Sequence, residues 1–110
     1  MPYLAEFTRE NRGAHATLEI LGEGVGRQVA TENRPFEGIS SDVKDGERTI
    51  WISFGSKSQE NFTHGVHGVT AIRVREATVE SGPAMEIDSE DGTTTLLILG
   101  RLGEFALRQP

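Results

Sequence analysis

The sequence predicts a mainly β (α+β) fold: an antiparallel meander of six or seven strands forming a small barrel or sandwich, with a short N-terminal helix packed on it. Three observations carry this. Apolar residues beyond Gly13 recur every second position, the period of a half-buried strand. Two Asp-Gly pairs stand between such runs, where tight hairpins need positive φ angles. No helical crossover separates the runs, so neighbouring strands pair antiparallel.

The helix comes first, over residues 2–12. Pro2 suits a helix start. Tyr3 and Phe7 lie four apart with Leu4 beside them, which makes one apolar stripe, and Asn11 to Gly13 provide a stop. So short a helix has to pack on something to persist. The β region spans 14–99. Ala16, Leu18 and Ile20 alternate with Thr17 and Glu19. A return strand runs from Arg27 to Glu32, and a third starts at Pro35 and covers Phe36 to Val43. Lys44-Asp45-Gly46-Glu47 turns the chain into Arg48 to Phe54, where Ile50, Ile52 and Phe54 face one way and Trp51 the other.

Gly55 to Gly68 reads as a long polar loop, the kind of segment that often carries function. A strand follows over Thr70 to Glu80. Its apolar phase slips between Val74 and Ala77, which predicts a β-bulge near Arg75-Glu76. Met85 and Ile87 alternate in the next strand, and Glu90-Asp91-Gly92-Thr93 is the second hairpin. The unbroken Leu96-Leu97-Ile98-Leu99 predicts a strand buried on both faces. Residues 100–110 read as a tail that extends the last strand or covers a sheet edge. The whole of 1–110 is expected to be a single domain.

Composition narrows the function classes. Apolar residues make up 35% of the chain, enough for one modest core, and the formal net charge is −6. The basic residues, nine Arg and two Lys, form no run. That balance argues against nucleic acid and against anionic membrane surfaces as partners. No apolar run nears the roughly 18 residues that span a bilayer. With no cysteine and no basic-then-apolar leader after Met1, the expected compartment is the cytoplasm.

Four blocks stand out: Phe7-Thr8-Arg9-Glu10-Asn11-Arg12-Gly13 leading into Ala16-Thr17-Leu18-Glu19-Ile20-Leu21-Gly22, then Arg34-Pro35-Phe36-Glu37-Gly38-Ile39-Ser40, then His64-Gly65-Val66-His67, and last Met85 through Leu97. Together they resemble a family of small bacterial proteins known only as a domain of unknown function. The resemblance covers roughly residues 3 to 99. It implies a bacterial, intracellular domain and no particular activity.

Candidate chemistry is sparse. Gly22, Gly24 and Gly26 follow a strand as a phosphate loop does. A dinucleotide loop, however, needs a helix next, and here Arg27 to Glu32 reads as a strand, with Glu23 set to repel phosphate. A hairpin loop is the simpler reading. Glu86, Asp88, Glu90 and Asp91 cluster at the second hairpin but have the alternation of a solvated face. No nucleophile is tied to a base, so no catalytic residues are assigned, and a hydrolase-like pocket at the barrel mouth is the faintest option.

His64 and His67 are the metal candidates. Zinc is the cofactor they would take, provided the fold brings His15, Asp42 or Glu60 to them. Trp51 has two readings: cover by the helix with Tyr3 and Phe7, or a partner surface. Arg73 and Arg75 share a strand face and suit an acidic partner or cross-strand Glu residues. The expected function is a non-catalytic binding or assembly module, as a homo-oligomer. The alternative is a metal- or small-ligand-binding protein that uses the His64/His67 loop.

Overall fold

In the computed structural model, the described residues are 2–22, 24, 26–55, 61–79 and 82–100. They form one helix, α1 (Pro2–Asn11), and seven strands: β1 (His15–Gly22), β2 (Gly26–Lys44), β3 (Glu47–Phe54), β4 (Phe62–Val66), β5 (Val69–Arg75), β6 (Ala84–Ser89) and β7 (Thr94–Leu99). Every neighbouring pair is antiparallel, and the order is β4-β3-β2-β1-β7-β6-β5. The sheet curls into a half-barrel. From β1 the chain meanders out to one end of the sheet, crosses through His67 and Gly68 to the other end, and meanders back to close on β1.

The helix ends where its capping residues end it. Asn11 Nδ2 donates to the Phe7 carbonyl at 2.9 Å, and Gly13 takes φ of +93°. The buried stripe is Leu4 and Phe7, at 2% and 4% exposure; Tyr3 lies at its rim. Thr8 fastens the helix to β2. Its hydroxyl accepts from the Ile39 N–H at 3.0 Å and donates to the Ile39 carbonyl at 3.3 Å. Gly38 lies beneath this contact, where a Cβ would sit in ordinary van der Waals contact with the Thr8 methyl at 3.4 Å.

The alternating positions fill the core. Leu18, Phe36, Ile50, Ile52, Phe54, Met85, Ile87, Leu97 and Leu99 are all fully buried, and the helix seals them with Leu4 and Phe7. Asp45 and Gly46 take φ of +54° and +80°, the paired positive angles of a two-residue hairpin. At the second hairpin, Asp91 Oδ1 accepts from both the backbone and the hydroxyl of Thr93. These bonds hold its carboxyl below the usual carboxylate range.

Four expectations are corrected. The strands expected over Arg27 to Glu32 and Phe36 to Val43 are one continuous β2, which pairs with β1 through its first half and β3 through its second. The turn residues before Pro35 do not end the strand but bend it. Three register shifts each place one surplus residue on β2, and Asn33 takes φ of +57°. The bulges carry the strand around the curl. His15 Nδ1 and the Thr17 hydroxyl bond Asn33 from β1.

The expected bulge at Arg75-Glu76 is instead the end of β5; the irregularity lies at the other end, between Val69 and Ala71. Strand β7 is buried on one face only, at Thr95, Leu97 and Leu99, while Leu96 and Ile98 stay partly open. The second half of the Gly55–Gly68 segment is strand β4, paired to β3 from Phe62↔Phe54 to Val66↔Ile50. The tail 101–110, Glu23, and the middle of that segment, 56–60 with Glu60, lie outside the described residues. Among the described residues no helix is long and apolar enough to cross a membrane.

Candidate functional site

Trp51 stands on the outer face of β3, turned away from the core. The helix covers the opposite face, so the reading in which Tyr3 and Phe7 cover Trp51 is corrected. The register places Trp51 between Ser40 of β2 and Gly65 of β4. Its six-membered ring lies over Gly65. A Cβ there would stand 2.6 Å from Cζ3, 3.0 Å from Cε3 and 3.1 Å from Cη2, so only glycine leaves room for the ring. His67 meets the ring edge-on at 5.6 Å between centroids, and its Nδ1 is 3.1 Å from the Thr49 hydroxyl. Thr49 is nearly buried beneath this cluster, yet Trp51 remains 38% exposed. Its further neighbours are short: Ser53 and Thr63 share a contact at 3.4 Å.

The two histidines part company. His64 pairs with the core residue Ile52 and lies near Phe62, which itself stacks on Phe54 and has the Arg34 guanidinium 5.8 Å from its ring. His67 reaches Thr49 and Trp51 on the outer side. Burial, and secondarily the charge of His67, push the His64 imidazole below its ordinary pKa. Asp42 pairs opposite Thr49 in the sheet, and His15 is bonded to Asn33. Among the described residues no three His, Asp or Glu side chains are placed to hold a metal ion.

Arg73 is engaged. Its Nε and Nη2 donate to Glu86 Oε2 at 3.2 and 3.0 Å, and Nη2 also donates to Asp88. Two of the four clustered carboxylates, Glu86 and Asp88, therefore serve as a fork for one guanidinium. Arg75, two residues on, pairs opposite Ala84 and has no ion-pair partner among the described residues. The two arginines, Glu86 and Leu96 line a shallow recess of about 200 Å³.

Two features escape a reading of sequence alone. Glu19 is 6% exposed on the outer face, bonded by Arg27 at 2.6 Å across the first hairpin. Gly22 and Gly26 close that hairpin as a register pair, so the glycine triplet is a turn into a strand. The second feature is a groove of about 570 Å³ between α1 and the end of β5, lined by Tyr3, Phe7 and Val74 among others. Its walls come from segments far apart in the chain, and no local spacing announces it.

Comparison with known proteins gives one relationship. The model of a family of unknown function, DUF5335, matches residues 1–103, and the chain belongs to that family. No curated protein and no solved structure matches it.

Proposed function

We propose that this member of a family of unknown function is a non-catalytic binding or assembly module of the bacterial cytoplasm, and that it self-associates through the outer β3–β4 face centred on Trp51. One observation carries the reading: a tryptophan ring immobilised over Gly65 and against His67 that is still 38% exposed. A side chain already held in place loses little freedom when a partner covers it, so most of its apolar burial is realised as affinity. Tryptophan is enriched among the residues that dominate interfaces. The short side chains of Ser40, Ser53 and Thr63 leave the ring proud of the surface.

The place of this face in the sheet supports the same reading. β4 is an end strand of five residues, and its outer backbone edge lies one strand beyond Trp51. Unpaired edge groups invite a second strand, and a two-fold axis there presents the same patch from both copies. The cytoplasmic assignment rests on the absence of cysteine and the family resemblance. Size-exclusion chromatography with light scattering tests the proposal. The expected result is a dimer or larger assembly, reduced to monomer by Thr63→Arg, which sets a charge on the exposed face without touching the core. A wild-type monomer at the highest attainable concentration refutes it.

A further inference from the structure

The groove beside α1 lies on a different surface from Trp51, and its chemistry is more specific. Tyr3, Phe7 and Glu10 line it from the helix, and Val74, Glu76 and Pro83 from the other wall. Its volume, about 570 Å³, falls within the roughly 300–1,000 Å³ of pockets that hold a small ligand or a few anchoring side chains. Along the helix it runs from Tyr3 to Asn11, about 12 Å at the rise of an α-helix. One wall is therefore long enough for a short peptide segment to lie along it.

The floor is apolar and open. Tyr3 is 43% and Val74 39% exposed, while Phe7 beneath them belongs to the core. The rim is acidic on both sides. Glu10 stands on α1 and Glu76 just past β5, and neither has an ion-pair partner among the described residues. Glu6 adds a third carboxylate one turn along the helix. These charges act on the groove itself: after burial, Glu10, Glu76 and Glu6 in that order hold the Tyr3 phenol above its ordinary pKa. Arg9 and Arg75 neighbour Glu10 and Glu76 in the chain, yet none of the four is in an ion pair among the described residues. Unpaired carboxylates beside an exposed apolar strip repel anions and favour a cationic occupant, and a net charge of −6 attracts such an occupant from a distance.

We infer that this groove docks a basic amphipathic segment of a partner protein, with one or two aliphatic or aromatic side chains on the Tyr3, Phe7 and Val74 floor and flanking Lys or Arg side chains against Glu10 and Glu76. This is recognition of an amphipathic segment in a groove, with apolar anchors for affinity and charge for orientation. It does not depend on self-association through Trp51, and either reading survives the failure of the other.

A fluorescein-labelled Lys-Leu-Phe-Arg-Lys-Leu-Phe-Arg peptide, titrated with the full chain and read by anisotropy, is the test. Saturable binding is expected. It should weaken roughly 3- to 30-fold in Glu10→Gln/Glu76→Gln, the range two exposed ion pairs supply. Val74→Ser should weaken it too. Asp45→Asn/Glu47→Gln removes the same charge from the distant hairpin and should leave the affinity within about twofold. Melting curves establish that each variant folds. Three outcomes overturn the inference: no saturable binding, equal weakening by both charge-removing pairs, or equal binding of the peptide with Glu in place of Lys and Arg.

Discussion

Replacing Gly65 by alanine adds one methyl group, and the structure fixes where it lands: 2.6 Å from Trp51 Cζ3, with Cε3 and Cη2 at 3.0 and 3.1 Å. Carbon atoms rest at about 3.5–4 Å, so the ring has to lift by about 1 Å or turn into solvent. Lifting it disturbs the edge-on contact with His67, itself held by Thr49. Turning it out exposes on the order of 60 Å² of apolar surface, about 1.5 kcal/mol at 25 cal/mol per Å². Overpacking of this kind costs about 1–3 kcal/mol. Against it stands the ordinary gain of about 0.5–1 kcal/mol when alanine replaces a strand glycine. The expected net effect is a loss of about 1–2 kcal/mol and a Tm lower by about 5–15 °C for a domain of this size. Trp51 is the chain's single tryptophan, so its emission reports the displacement directly as a red shift. In a Trp51→Ala background the clash is gone, and Gly65→Ala should then stabilise. A gain in Tm with Trp51 present, or the same loss without it, refutes the packing argument.

Other perturbations test the rest of the structure. The folded state resists protonating His64, so between the folded pKa and about 6.5 the unfolded chain binds more protons. Stability is therefore full above about pH 6.5 and falls as pH drops through it; a Tm-versus-pH curve should show this slope, and His64→Gln should flatten it. Thr8→Val removes both bonds to Ile39 and should cost about 1–3 kcal/mol in denaturant unfolding, while Thr8→Ser keeps them. Arg27→Ala leaves the nearly buried Glu19 carboxylate unpaired and should lower Tm more than Glu19→Gln, which leaves only an exposed guanidinium behind. Ile87→Ala opens a cavity in the fully buried core and should cost about 2–5 kcal/mol.

What the chain's own order of residues determined is local. Alternation put Ile50, Ile52, Phe54, Met85 and Ile87 inside, because a strand turns successive side chains to opposite faces whatever it pairs with. Asp45-Gly46 and Gly92 make turns because their backbone tolerates positive φ before any tertiary contact forms, and Asp91 adds local bonds from Thr93. Only the tertiary structure decided the remainder. Pro35 reads as the start of a new strand, yet β2 runs through it, because β1 and β3 take opposite halves of that strand and bulges absorb the mismatch. His64 reads as a loop residue until β3 supplies a partner for each residue of β4. Leu96 and Ile98 read as core until the single-layered sheet leaves their face partly open. Trp51 over Gly65, Arg73 between Glu86 and Asp88, and the groove between α1 and β5 all join residues more than ten positions apart. Hydrophobic period and turn chemistry act within a few residues. Contacts of this kind depend on which strand lies beside which, and that is settled by the collapse of the whole chain.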